Sequence, residues 1–319
     1  MRFAFIFIIS SFLFGCNPST QTKYPAADVE MTLKQVSEHV YYVQGKAGIA
    51  TANEGFISNA GFIVTDDGVV VFDTLGTPSL ANMLLAKIRS VTDKPILKVV
   101  VSHYHADHIY GLQVFKKLGA QIIAPKGAMV YLGSAKAESL LEDRRFALEP
   151  WVNESTHLVS PDIIIDKPVT FKLGNTKFTL DVLGAAHSDG DLTMFVEPEQ
   201  IFFSGDIIFE GRVPYLGDAN TKKWLETLIH METGKITALI PGHGPAAKDP
   251  NKAITATRHY LEKIRKVMFD AVKNMDDFAE TYDKTDWSEF ENLPAFEEAN
   301  RRNAYQAYLS MEEELFNKP

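Results

Sequence analysis

The sequence predicts an α/β fold: a layered αβ/βα sandwich with a functional site at one sheet edge and a C-terminal helical extension. Three observations lead there. Short apolar strand-like runs give way to helical patterns in two successive halves, the second beginning near Ile163. Elements with one apolar face must bury it against another, so strands then helices, twice over, stack into layers. Several strand-like runs end in a histidine or aspartate beside glycine, and beyond about Pro250 apolar residues recur at helical spacing.

From the N-terminus, Met1 and Arg2 precede a mostly apolar segment, residues 3–14. It is too short to span a bilayer but suits the core of a signal peptide. Leu13-Phe14-Gly15-Cys16 resembles a bacterial lipobox, which implies a lipid anchor at Cys16 in the bacterial cell envelope, facing the periplasm or the exterior. An ordinary secretory signal with an incidental cysteine is the alternative. Residues 1–15 are then a signal peptide and 16–30 a polar tether, with the main domain over 31–250 and the helical extension over 251–319.

Within the main domain, 40–43, 61–64 and 69–72 read as strands, with an Asp66-Asp67-Gly68 hairpin turn between the last two. Residues 77–90 read as a helix capped by Thr77, with Pro78 in its first turn. The run 96–101 reads as a buried strand, and His108 to Leu118 as one helix with Ile109, Leu112, Phe115 and Leu118 on a stripe. Further strands are expected at 178–183, 201–203 and 238–240. In the extension, Ile254, Leu261, Ile264 and Met268 form one apolar stripe, and Tyr305, Tyr308, Leu309 and Phe316 another. Both are expected to be packing faces. Arg301 and Arg302 are expected to be solvated or ion-paired, with a substrate-carboxylate role as the alternative. Trp151, Tyr131 and Tyr215 are core residues by default and pocket lining by alternative.

Composition narrows the function. At 45% apolar residues the chain can bury a substantial core, and a net charge of −9 argues against a nucleic-acid surface. Cys16 is the only cysteine, so no internal disulfide forms and stability must come from packing.

The chemistry sits in Ser102-His103-Tyr104-His105-Ala106-Asp107-His108, directly after the buried strand. Imidazoles and carboxylates suit zinc, and His103 and His105 can converge on one ion while Asp107 and His108 serve a second. His187, Asp206 and His243 each follow an apolar run, beside or near glycine. Any one alone reads as a core histidine or turn aspartate. Together with the first cluster they resemble the metallo-β-lactamase superfamily, over roughly residues 36 to 248.

That resemblance implies a four-layer αβ/βα sandwich in which His103, His105, Asp107, His108, His187, Asp206 and His243 fill the seven metal-ligand places in order. It implies a structural role for Asp73, in Val69-Val70-Val71-Phe72-Asp73-Thr74. More narrowly, Gly45-Lys46-Ala47-Gly48, Asn53 to Gly61, Gly211-Arg212-Val213-Pro214-Tyr215 and Leu293 to Glu298 resemble the quinoprotein relay system zinc metallohydrolases.

It also implies the reaction. Two zinc ions (Zn2+), one on His103, His105 and His187, the other on Asp107, His108 and His243, with Asp206 bridging, would activate a metal-bound hydroxide against an acyl carbon. Asp107 would orient the hydroxide as a catalytic residue. Asp206 stands where the best-known zinc β-lactamases have cysteine, which excludes that subclass. His105 stands where di-iron oxidoreductases of the family place glutamate, which favours hydrolysis. The expected partner is a small-molecule substrate: a β-lactam, lactone, ester or thioester. Iron accepts the same donors, so an iron-dependent persulfide dioxygenase is an alternative. An envelope accessory protein of a quinoprotein oxidation system is another.

Overall fold

The computed structural model describes residues 24–231 and 236–316. The signal peptide and Cys16 therefore lie outside the described residues. Strands β1 (Leu33–Gln35), β2 (Val40–Val43), β3 (Ala60–Val64), β4 (Val69–Phe72), β5 (Ile96–Val100), β6 (Gln121–Pro125) and β7 (Ile163–Ile165) form a seven-stranded sheet in sequential order. Its first four strands pair antiparallel and its last four parallel. Strands β8 (Val169–Leu173), β9 (Thr176–Gly184), β10 (Asp191–Glu197), β11 (Ile201–Phe209) and β12 (Ala238–His243) form the second sheet, in the order β12-β11-β10-β9-β8.

The alternation of side chains along each central strand explains the four layers. In β4, Val70 and Phe72 point to a core shared with Leu180, Met194 and Phe203 of the second sheet. Val69 and Val71 point the other way, to a core shared with helix α1 (Pro78–Arg89). A strand buried on both faces reads as a continuous apolar run because successive residues serve opposite cores. Thr77 caps α1 as expected, its Oγ1 accepting the Leu80 N–H at 3.0 Å. Asp66 and Asp67 make the expected turn and also accept the N–H groups of Asn175 and Gly174, tying the β3–β4 turn to the β8–β9 turn.

The expected single helix from His108 to Leu118 is instead two: α2 (Ala106–Ile109) and α3 (Leu112–Lys117). The break lies in the hydrogen bonds: the Asp107 carbonyl accepts from Ser58, the His108 carbonyl accepts from Thr74, and the Gly111 N–H donates to the Leu75 carbonyl instead of continuing the helix. Residue 111 is glycine because a Cβ there would lie 2.0 Å from the Thr74 carbonyl oxygen and 2.6 Å from Ala81 Cβ. Ile109, Leu112 and Phe115 are buried as the stripe predicted, but Leu118 lies past the break and is 49% exposed. Two further helices, α4 (Gly127–Leu132) and α5 (Ala135–Ala147), complete this outer layer. Tyr131 is buried in it and Trp151 packs against it, donating to the Ala26 carbonyl; both follow the core reading.

Helices α6 (Thr221–His230), α7 (Pro250–Asn274), α8 (Phe278–Lys284) and α9 (Phe296–Phe316) accompany the second sheet. Ile254, Leu261, Ile264 and Met268 of α7 are buried with Trp224 of α6, as their spacing predicted. The stripe expected on α9 is corrected in part. Tyr308 packs against the core, and its ring and that of Tyr305 meet Phe278 of α8. Tyr305 and Phe316 are nevertheless exposed, and the buried face is Ala299, Asn300, Asn303, Ala304, Ala307 and Met311. Small side chains let α9 lie close against Tyr260 of α7, which the larger residues would prevent. Arg301 pairs with Asp283 at 2.7 Å, and Arg302 stands 5.4 Å over the Tyr215 ring.

Candidate metal centre

All seven candidate donors converge where the two sheets present their ends. The β5–α2 loop delivers His103 and His105, α2 delivers Asp107 and His108, and the turn after β9 delivers His187. Asp206 and His243 lie inside β11 and β12, which run further than the apolar runs 201–203 and 238–240 suggested. The β11–β12 register shifts at Gly205, the kind of irregularity that re-aims a side chain beside a site. At Gly242 a Cβ would stand 1.9 Å from Asp206 Oδ1, so the carboxylate reaches its place only over a residue with no side chain.

The donor atoms face one another at metal-sharing distances. His105 Nδ1 is 3.0 Å from His103 Nε2 and 3.1 Å from His187 Nε2. His243 Nε2 is 3.2 Å from Asp107 Oδ2, and His108 Nε2 is 3.6 Å from the same oxygen. Asp206 lies between: its Oδ2 is 3.3 Å from His187 Nε2 and 3.2 Å from His243 Nε2, and its Oδ1 is 3.2 Å from His108 Nε2. Ligands held about 2.0–2.1 Å from a tetrahedral ion stand about 3.3 Å apart, so this spacing fits zinc. The atoms group as His103, His105 and His187; as His103, His108 and Asp206; and as Asp107, His108 and His243.

Hydrogen bonds behind the rings fix which nitrogen is bare. Asp73 is buried, with Oδ1 accepting the Ser102 N–H at 2.7 Å and Oδ2 accepting the Ser102 hydroxyl at 2.7 Å. The Ser102 hydroxyl, its proton spent on Asp73, accepts from His103 Nδ1 at 2.9 Å. Asp73 Oδ2 also accepts from His108 Nδ1 at 2.9 Å, and the Ile57 carbonyl accepts from His243 Nδ1 at 2.7 Å. Each ring with its proton on Nδ1 presents a lone pair on Nε2 to the site, which is the form that binds metal.

Electrostatics divide the rings. Burial, with positive neighbours, drives His103 well below the usual histidine range, and burial takes His187 down to about 3, so these rings stay neutral. Burial would also lower His108 and His243, but Asp206 and Asp107, with Asp73 at His108, outweigh it and raise both, so Nε2 of these two rings holds a cation, a proton or a metal ion in its place. Burial would raise Asp206, but His243 and His108 outweigh it and keep the carboxylate ionised. His108 Nε2 and Asp206 Oδ1 are buried without a hydrogen-bond partner. Two such atoms 3.2 Å apart demand a cation between them, either a proton or a metal ion. The donor set therefore fits a pair of ions of the zinc type.

Several residues around the site carried no separate signal in the sequence: Ser102, the Ile57 carbonyl, Asn59 and Asp191. Asn59 donates to the Pro241 and Gly244 carbonyls at 2.8 Å each, stapling the His243 turn to the first sheet. Asp191, held up at about 6 by burial, accepts from the Ala186 and Ser188 N–H groups and shapes the turn that carries His187. Arg212 stands beside His243 and over Phe209. His39 and His259 lie away from the site, paired with Glu199 and Glu289.

A family model described as the metallo-beta-lactamase superfamily matches residues 53–243. Metallo-beta-lactamase IND-1 of Chryseobacterium indologenes is 24% identical, over 72% of this chain and 85% of that protein. Acyl-coenzyme A thioesterase MBLAC2 of Bos taurus is 23% identical, over 66% of this chain and 80% of its own length. A solved metallo-beta-lactamase from Pontibacter korlensis aligns with TM-score 0.57 at 18% identity, over 73% of this chain and 99% of that one. The sec-alkylsulfatase Pisa1 from Pseudomonas sp. aligns with TM-score 0.67 at 16% identity, over 91% of this chain and 52% of that one. At such identity the structural likenesses speak for the fold. The family match covers more than half the chain, and with the donor geometry it identifies this protein as a hydrolase of the metallo-β-lactamase superfamily.

Proposed function

We propose that the chain is a binuclear zinc hydrolase that cleaves an acyl bond in an ester, thioester, lactone or β-lactam. The observation that carries this reading is Asp206, whose one carboxylate lies within 3.3 Å of donors from both halves of the cluster. His103, His105 and His187 would hold one ion, and Asp107, His108 and His243 the other. When bound, such ions supply Lewis acidity toward a carbonyl oxygen and lower the pKa of a coordinated water toward about 7.

The chain's own residues supply the rest. Asp107 is held ionised: burial would raise it, but His108 and His243 outweigh burial. It is the more accessible of the two carboxylates, its side chain 20% exposed against 4% for Asp206. It is placed to accept a hydrogen bond from an attacking water and orient it. Phe209 stacks flat on His243 at 5.1 Å and Trp224 meets the edge of His187 at 5.1 Å. These rings keep water from the backs of the donors and strengthen the field in front of them.

Two relatives bear names that speak of acyl groups, a β-lactamase and an acyl-coenzyme A thioesterase, and this supports the bond class. An oxygen-only bridge in place of cysteine makes a harder centre. We therefore expect modest β-lactam turnover and a better substrate among esters, lactones and thioesters. The narrower likeness to the quinoprotein relay metallohydrolases rests on its motif residues alone. The test is metal quantification on protein purified without added metal, followed by a hydrolase substrate panel. Two zinc ions per chain, activity lost to chelator and restored by zinc, is the expected result. One iron per chain and no zinc would overturn it in favour of the dioxygenase. The lipid anchor is proposed with it: Cys16→Ser should move the protein out of the membrane fraction, and unchanged fractionation refutes the anchor.

A further inference from the structure

Residues 24–31, which lead into β1, pack into the core between the first sheet and its helices. Exposure alternates along them: Ala27 and Met31 are buried and Val29 packs on the same core, while Asp28 and Glu30 face solvent. A period of two marks an extended arm laid on its apolar edge. Two bonds pin the arm to the outer layer. The Tyr24 hydroxyl donates to the Ser155 carbonyl at 2.8 Å, and Trp151 Nε1 donates to the Ala26 carbonyl at 3.4 Å. A third bond reaches the β2–β3 loop instead: the Asp28 N–H donates to Glu54 Oε2 at 2.6 Å.

Glu54 stands where a side chain is costly. Its φ is 51°, a left-handed conformation that glycine or asparagine adopts more readily, and Gly55 follows at φ 83°. A glutamate held in such backbone points to a use for its carboxylate, and the carboxylate accepts from the arm. The loop cannot shift without disturbing the metal centre. A Cβ on Gly76 would lie 2.8 Å from the Gly55 carbonyl oxygen and 3.3 Å from Asp107 Cα, so the two segments meet over a residue with no side chain. The Ile57 carbonyl then accepts from His243 Nδ1 at 2.7 Å, and the buried Ser58 hydroxyl donates to the Asp107 carbonyl. Two of the three donors of the second ion, that of Asp107, His108 and His243, are thus set within four residues of Glu54. His103, His105 and His187 make no hydrogen bond to this loop among the described residues.

We propose that the N-terminal arm is a strap that sets the second metal subsite: docked on the outer core, it holds Glu54 through the Asp28 N–H, and Glu54 holds the 54–58 segment that orients His243 and Asp107. Glu54 is a positioning residue that acts through Ile57 and Ser58. The stretch expected as a tether over 16–30 is, from Tyr24 on, part of the support of the site. The inference rests on the binuclear reading for the ion and on the bonds of the arm alone for its geometry.

The test measures stepwise zinc affinity of the full chain by competition with a calibrated chelator, with circular dichroism to confirm folding. Glu54→Asn keeps the left-handed turn, but its shorter side chain falls short of Asp28. It should weaken the second ion by about threefold to tenfold, the range of one net hydrogen bond, and leave the first unchanged. Asp28→Pro removes the same bond from its other end and should do the same, and the double variant should be no weaker than the worse single one. In a His243→Ala background, which keeps only the first ion, Glu54→Asn should change nothing. Equal loss from both ions, or a loss that persists beside His243→Ala, is a merely structural role and overturns the strap. Wild-type affinity in folded Glu54→Asn overturns it too. If Asp28→Pro does not fold, Tyr24→Phe loosens the far end of the arm and should move the second ion in the same direction. If the wild type takes up no second zinc, the binuclear reading fails instead. The strap is then read from amide exchange of the metal-free chain over residues 54–58: a rise in Glu54→Asn and Asp28→Pro upholds it, and unchanged exchange overturns it.

Discussion

Asp73→Asn is the sharpest probe of how the site is set. Asp73 has φ 58°, a left-handed conformation that asparagine tolerates well, so the substitution leaves the backbone undisturbed. Its effect is on protons. Oδ2 accepts at once from the Ser102 hydroxyl and from His108 Nδ1, and Oδ1 accepts from the Ser102 N–H. An amide has one acceptor and one donor end. If its oxygen keeps the Ser102 N–H, its NH2 faces His108, which must move its proton to Nε2, where the metal lone pair should be. The same NH2 turns the Ser102 hydroxyl toward His103 and pushes that ring to the same wrong tautomer. If the amide flips, its NH2 meets a backbone N–H instead. Either arrangement loses a hydrogen bond to a charged group, about 1.5–3 kcal/mol, or roughly 10- to 100-fold in metal affinity. The assay is zinc binding in competition with a calibrated chelator, with circular dichroism to confirm folding. His108 should weaken most, so the second ion should leave first. Wild-type affinity for both ions in folded Asp73→Asn would refute the tautomer argument.

Three further outcomes follow from the same geometry. Gly242→Ala places a methyl 1.9 Å from Asp206 Oδ1 and should cost most of the bound zinc while the fold survives, as read by metal analysis. Asp206→Ala should weaken both ions, whereas His243→Ala should deplete only the ion on Asp107 and His108. Equal losses in the two variants would contradict the bridging role. His103→Ala or His105→Ala should deplete the other ion, and the same stoichiometry measurement decides it.

The donors were legible because each lies in a short motif at the end of an apolar run, where glycine permits a tight approach. What held them was legible only through the family resemblance, which implied the structural role of Asp73; nothing local in the sequence marks its meeting with Ser102 and His108 across 29 and 35 residues. The break at Gly111 was hidden because periodicity counts apolar residues and cannot see the Asp107 and His108 carbonyls drawn away by Ser58 and Thr74. The α9 face failed for the opposite reason. Periodicity favours large apolar side chains, and this interface needs small ones plus two asparagines. Propensity and pattern thus located the chemistry, while close approach between distant segments decided its detail.

The two kinds of information meet in the energetics of the cluster. Seven polar donors gathered where burial opposes every charge cannot drive folding; they weaken it unless a cation satisfies them. The three apolar cores on either side and between the sheets must supply the stability, and they reach to the site's edge through Phe72, Phe203 and Phe209. The scaffold holds donor atoms facing one another at 3.0–3.2 Å, the spacing that ligands of one zinc-type ion take. This is why the second-layer bonds matter as much as the donors. Asp73, Ser102 and Ile57 settle the Nδ1 proton positions and so leave Nε2 of His103, His108 and His243 for a metal ion.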